Sequence, residues 1–95
     1  MGYPGSNKGT FLVTSDSVAA TPPNEGSFSK ISVTTSGNIV VKGNNLYEIV
    51  SGAYTKRDPS DDVTISMATN QTIEGEFTSV KLASSGAAEG VVAYI

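Results

Sequence analysis

Apolar and polar positions alternate along much of this chain with a period of two, the mark of half-buried strands. Ile31 and Val33 point one way while Lys30 and Ser32 point the other, and residues 63–67, Val-Thr-Ile-Ser-Met, alternate as cleanly. Residues 10–14, Thr-Phe-Leu-Val-Thr, read as a first strand from their β-branched and aromatic content. Ser36-Gly37-Asn38 supplies a turn, so residues 28–33 and the return segment 38–42 are expected to form a β-hairpin. Residues 46–50, Leu-Tyr-Glu-Ile-Val, are almost continuously apolar, which predicts burial on both faces or at an interface. Ser51-Gly52 and the polar run 56–62 mark the next reversal, Asn70-Gln71 turns the strand 63–67, and segments 77–83 and 90–95 close the domain. Nowhere do apolar residues recur at helical spacing over three turns, so no long helix is expected.

An internal repeat organises this pattern. Residues 25–33 (E-G-S-F-S-K-I-S-V) and 74–82 (E-G-E-F-T-S-V-K-L) share the form E-G-x-F-[ST]-x-[IV]-x-[VL], each followed by a Ser-Gly turn and a Val-Val return strand. Two similar hairpins with one apolar face each would bury those faces against one another. The predicted fold is therefore all-β, a small antiparallel β-sandwich or barrel, jelly-roll-like, of about 7–8 short strands. Residues 10–95 form one domain, and the glycine- and proline-containing residues 1–9 form an extended N-terminal arm. The stretch 15–26 exceeds the roughly 4–6 residues of a typical connection, so it either contacts something or moves.

Size and charge narrow the function classes. A chain of 95 residues supports one core, and burying on the order of two-thirds of the unfolded surface leaves modest stability, so self-association is expected. The formal net charge is −3, and the basic residues Lys8, Lys30, Lys42, Lys56, Arg57 and Lys81 are scattered, which argues against nucleic-acid binding. No apolar run approaches the roughly 18 residues of a membrane span and no signal peptide opens the chain, so a soluble protein with no membrane partner is expected. Cysteine and histidine are absent. The thiol nucleophile, the commonest general base and the usual zinc ligands are therefore missing, and no catalytic residue, cofactor or metal site is expected.

The remaining candidates read better as structure than as chemistry. Asp58, Asp61 and Asp62 lack the spacing of a calcium-binding loop and read as a solvated turn with Lys56 and Arg57 as loose ion-pair partners. Glu48, Glu74, Glu76 and Glu89 could pair as acid and base in glycoside chemistry, but ordinary surface charge explains them as well. No serine sits in a G-x-S-x-G elbow. Gly2 with Ser6 matches the myristoylation pattern and Asn70-Gln71-Thr72 the glycosylation sequon, both short enough to arise by chance. Tyr3, Phe11, Tyr47, Tyr54 and Tyr94 could stack on carbohydrate or anchor a protein interface, where aromatic residues are enriched, and of these Tyr3 in the arm and Tyr54 near a loop are the better contact candidates. Phe11 suits a core position better than a contact. With Pro4 and Lys8 of the arm, these residues (Tyr3, Pro4, Lys8, Phe11 and Tyr54) are the expected partner-binding set.

The arm, the Ser-, Thr- and Val-rich strands, the segment F-S-K-I-S-V-T-T-S-G-N-I-V-V from Phe28 and the segment F-T-S-V-K-L-A-S-S-G from Phe77 together resemble the small decoration, cement or head-fibre proteins of tailed bacteriophages. The resemblance covers mainly residues 28–95 and contains no signature motif. It implies a virion protein on the outer capsid surface, bound to the major capsid protein and to copies of itself, commonly as a homotrimer. A receptor- or glycan-binding fibre module is the second expectation, with the loops 15–27 and 53–62 as contact surfaces. A structural piece of a tail or neck is the third.

Overall fold

The computed structural model describes residues 9–23 and 26–95. Nine strands run through them: β1 (Thr10–Val13), β2 (Phe28–Ser32), β3 (Gly37–Lys42), β4 (Tyr47–Val50), β5 (Ala53–Lys56), β6 (Val63–Met67), β7 (Thr72–Phe77), β8 (Ser79–Leu82) and β9 (Val91–Tyr94). Four of them form a sheet in the order β1-β9-β2-β7, three form a second in the order β6-β3-β8, and β4 and β5 make a separate two-stranded ribbon. All strand pairings are antiparallel, and neither sheet closes into a barrel.

The period-two pattern sets which face of each sheet is dry. Across the larger sheet, Phe11, Ala93, Ile31 and Ile73 stand in register in one row, and Phe28 faces Phe77 in another. Across the smaller sheet the rows are Ile65, Ile39, Leu82 and Val63, Val41, Val80. These rows supply most of one hydrophobic cluster in which Phe28, Ile31, Ile39, Val41 and Val80 are fully buried. No polar side chain is buried among the described residues. The core therefore draws its stability from apolar area and tight packing alone.

The two expected hairpins do not form. β2 lies in the larger sheet and β3 in the smaller one, and the second copy of the repeat likewise parts, with β8 in the smaller sheet and β9 in the larger. Each leading strand pairs instead with the return strand of the other copy: β2 with β9, with Ile31 opposite Ala93, and β8 with β3, with Val80 opposite Val41. The cause lies in the connection after β2. Val33 is buried, and the amides of Thr34 and Thr35 donate to the carbonyl of Glu89, at 3.0 and 3.2 Å. The chain is thus drawn across the end of the core and cannot fold back at Ser36. Gly37 fits this crossing because a Cβ there would overlap the backbone at Ala87 and Ala88.

Two strands were not expected. Residues 53–56 fall between Ser51-Gly52 and the polar run 56–62, where the sequence predicts a reversal, yet they form β5, with all four residues exposed. β7 carries Glu74, Gly75 and Glu76 and lies at an open sheet edge, where charge discourages further pairing. The long connection after β1 is held in place: Ala20 and Val80 exchange backbone hydrogen bonds at 2.8 and 3.0 Å, and the Leu82 amide donates to the Ser15 carbonyl at 2.9 Å. This segment covers the free edge of β8.

Replacing Ile39 by alanine should destabilise the protein by about 2–5 kcal/mol, whereas Leu12→Ala, at a position 72% exposed, should change stability by less than about 0.5 kcal/mol. Urea denaturation followed by circular dichroism measures both. Equal losses at the two sites would contradict the core described.

Candidate functional site: an exposed β-ribbon

The ribbon begins where the core ends. Leu46 is half-buried against the hydrophobic cluster, and the Arg57 amide donates to its carbonyl at 2.7 Å, closing the base of the ribbon. At the tip, Ser51 and Gly52 both have positive φ, 52° and 83°, the requirement of a two-residue turn that follows the right-handed strand twist. Between base and tip the register is Tyr47 opposite Lys56, Glu48 opposite Thr55, Ile49 opposite Tyr54 and Val50 opposite Ala53. Residues directly opposite share a face. One face is therefore Tyr47, Ile49, Tyr54 and Lys56, and the other is Glu48, Val50, Ala53 and Thr55.

All eight strand residues are exposed. Tyr54 is 80%, Ile49 65%, Tyr47 57% and Val50 48% accessible. The other large apolar residues left in water among the described ones, Leu12 and Val18, lie elsewhere, on β1 and in the loop after it. Scattered apolar residues of that kind are ordinary on a protein surface, but a cluster of four on one projecting element is not. Backbone alternation adds a second feature. Because Arg57 and Leu46 form a hydrogen-bonded pair, so do Glu48 with Thr55 and Val50 with Ala53, and the amides and carbonyls of Tyr47, Ile49, Tyr54 and Lys56 point outward from the two free edges. The ribbon can thus accept a strand on either edge and apolar groups on one face.

Charges gather at the base. Arg57 donates to Glu48 Oε2 at 2.6 Å and lies 3.7 Å from Asp61; the bond to Glu48 and its charge, with a smaller contribution from Asp61, raise the Arg57 pKa above the ordinary guanidinium value. Asp58 Oδ1 accepts from the Ser60 amide at 2.9 Å and the Ser60 hydroxyl at 2.7 Å, and these bonds, the backbone one first, lower the Asp58 pKa. Asp62 sits between Lys42, at 3.8 Å, and Lys81, at 3.5 Å, on the outer face of the smaller sheet. The acidic run is thus a hydrogen-bonded turn with ion pairs. Its partners are Arg57, Lys42 and Lys81; no ion pair with the expected Lys56 occurs among the described residues. Nor does any group of three or more carboxylates there converge as a metal site.

Of the residues expected to contact a partner, Tyr54 lies on the apolar face of the ribbon, opposite Ile49. Phe11 does not join it: its half-buried ring packs edge-on against Phe28, with centroids 5.2 Å apart, at the margin of the core. Tyr3, Pro4 and Lys8 lie outside the described residues. Tyr47, one of the aromatic contact candidates, lies on the same face of the ribbon as Tyr54; Ile49 and Val50 carried no individual signal, although the unbroken apolar run 46–50 predicted burial or an interface, and burial within this chain fails beyond Leu46. No protein-family model matches the sequence, and no curated protein or solved structure matches it either.

Asp58 offers a local test. A carboxyl with a lowered folded pKa favours the folded state above its unfolded pKa, and that contribution disappears as pH falls through the folded value. Titration followed by NMR should place Asp58 below the ordinary carboxylate value of about 3.9. In Ser60→Ala, which removes only the hydroxyl bond, the titration should move part of the way back up. No movement would show that the hydroxyl bond contributes nothing.

Proposed function

We propose that this protein is a structural component of a bacteriophage virion that binds the outer surface of the capsid, together with other copies of itself, and stabilises the shell. The observation that carries the reading is the ribbon: it places Tyr47, Ile49, Val50 and Tyr54 in water on an element that adds nothing to the core, an arrangement that suits a component of an assembly. The resemblance of residues 28–95 to capsid decoration proteins supplies the kind of assembly. Its partners on this reading are the major capsid protein and further copies of the chain, as a homotrimer. The work is mechanical. A protein bound in many copies to the assembled shell, and to nothing in its dissociated parts, shifts the equilibrium toward the shell by mass action.

A receptor- or glycan-binding module is less well supported. Tyr47 and Tyr54 do share a face, but Ile49 lies on it too and Glu48, the ribbon's own carboxylate, is on the opposite one. A sugar-binding surface needs aromatic rings beside hydrogen-bonding acids or amides.

The reading is tested on purified particles of the phage that carries this gene. The protein should be present in them in many copies, and shells stripped of it and then reloaded should release packaged DNA at a higher temperature than bare shells, as read by a DNA-binding dye. Absence from the particles, or no binding to bare shells, would contradict the proposal.

A further inference from the structure

With the ribbon set aside, every strand pairing among the described residues joins residues 10–42 to residues 63–95. β1 and β2 pair with β9, β2 also with β7, and β3 with β6 and β8. The isolated bridges Ala20–Val80, Thr35–Glu89 and Asn38–Ala87 cross between the same two halves. Neither half builds a ladder within itself. Its strands find their hydrogen-bond partners only in the other half, so neither half has a folded state of its own to offer.

The halves are also equivalent strand by strand. β1 corresponds to β6, residues 15–20 to β7, β2 to β8 and β3 to β9, so the order β1-β9-β2-β7 is answered by β6-β3-β8 with Ala20 bridged to the outer edge of β8. The apolar rows agree in register: Phe11, Ala93, Ile31 and Ile73 in the larger sheet match Val63, Val41, Val80 and Ala20 in the smaller. The bonds at the strand ends agree too. The Val33 amide donates to the Gln71 carbonyl at 3.1 Å, and Leu82, the counterpart of Val33 in the repeat, donates to the Ser15 carbonyl at 2.9 Å. Exchanging the halves carries these contacts onto one another, the property of a two-fold interface between like units. The sequence repeat marks only the leading strands β2 and β8 and their return segments, whereas the pairings extend the equivalence to the whole of each half.

The ribbon belongs to neither half. It leaves and re-enters the sheets where Val41 stands opposite Val63, and the equivalent place is where Ala93 stands opposite Phe11, beside which the Ile95 amide donates to the Gly9 carbonyl at 3.2 Å. We propose that this protein is a tethered pseudo-dimer: residues 10–42 and 63–95 are two like units, each the binding partner of the other, that fold only on associating, and residues 43–62 are a tether. The tether makes the encounter intramolecular and so raises the effective concentration of each unit for its partner. It adds nothing to the interface itself. Once the units have met, the chain between them can be cut. Nothing in this arrangement depends on where the protein acts, so the virion reading stands or falls separately.

The test cuts the full chain at a protease site inserted between Ser51 and Gly52, at the exposed tip of the ribbon, with the uncut protein as reference. After cleavage both pieces should elute together at the position of the uncut protein at about 10 µM, with its circular dichroism spectrum. Unfolding should remain one cooperative transition but become bimolecular. A tenfold dilution, worth about 1.4 kcal/mol in a binding equilibrium, should then lower the midpoint by roughly 5–10 °C more than it lowers that of the uncut protein. A permuted chain running from Gly52 to Ile95 and then from Met1 to Ser51 keeps every residue and moves the tether to the equivalent junction. It should unfold cooperatively within about 5 °C of the parent. Separation of the cut pieces, loss of the strand spectrum on cutting, a midpoint no more sensitive to dilution than that of the uncut protein, or a permuted chain without a cooperative transition would each overturn the proposal.

Discussion

The fold depends on one exchange: the leading strand of each repeat copy is hydrogen-bonded to the return strand of the other. β2 takes β9 and β8 takes β3, so neither copy can complete a sheet without its counterpart. The exchange places Phe28 opposite Phe77 at one end of the larger sheet and sends Ile31 and Val80, equivalent positions of the repeat, into the same core from opposite sheets. Nearly every stabilising pairing is therefore between residues far apart in sequence. Such a topology must close long loops before its contacts form, which predicts slow folding for a chain of this size.

The ribbon is the exception to that economy. Among the described residues it is the one local hairpin, closed by Ser51 and Gly52, and its residues stay outside the core that the exchange builds. Leu46 ties it to the body, and the Glu48–Arg57–Asp61 ion pairs brace its base. Exposed ion pairs of this kind contribute little to stability, so their effect is to orient the ribbon. A self-sufficient body with an apolar projecting ribbon is the physical basis of the proposed virion role.

Much of the fold could be read from period-two alternation. The strands around Phe11, Ile31, Val41 and Ile65 announced themselves by one dry face each, and the all-β class followed. Strand partners could not be read in the same way. Ser36-Gly37-Asn38 has good hairpin chemistry, yet the burial of Val33 and the bonds from Thr34 and Thr35 to Glu89 override it, and those bonds join residues more than fifty positions apart. β7 was hidden because Glu74 and Glu76 read as surface charge when taken singly. The candidate site was half legible: Tyr54 and Tyr47 stood out as aromatics able to anchor a contact, while Ile49 and Val50 were masked because a continuous apolar run looks the same whether it is buried or set at an interface.

The central claim is that the exchanged sheets form the complete folding unit and that the ribbon lies outside it. The most direct test replaces residues 47–56 by a two-residue turn, which the 2.7 Å hydrogen bond between Arg57 and Leu46 makes sterically feasible. Thermal unfolding of the shortened chain, at concentrations where the unaltered chain is also a single species, should give a cooperative transition within about 5 °C of the parent, a shift of roughly 1 kcal/mol for a domain of this size. Loss of the cooperative transition would contradict the account, because it would mean that the ribbon is part of what holds the two sheets together.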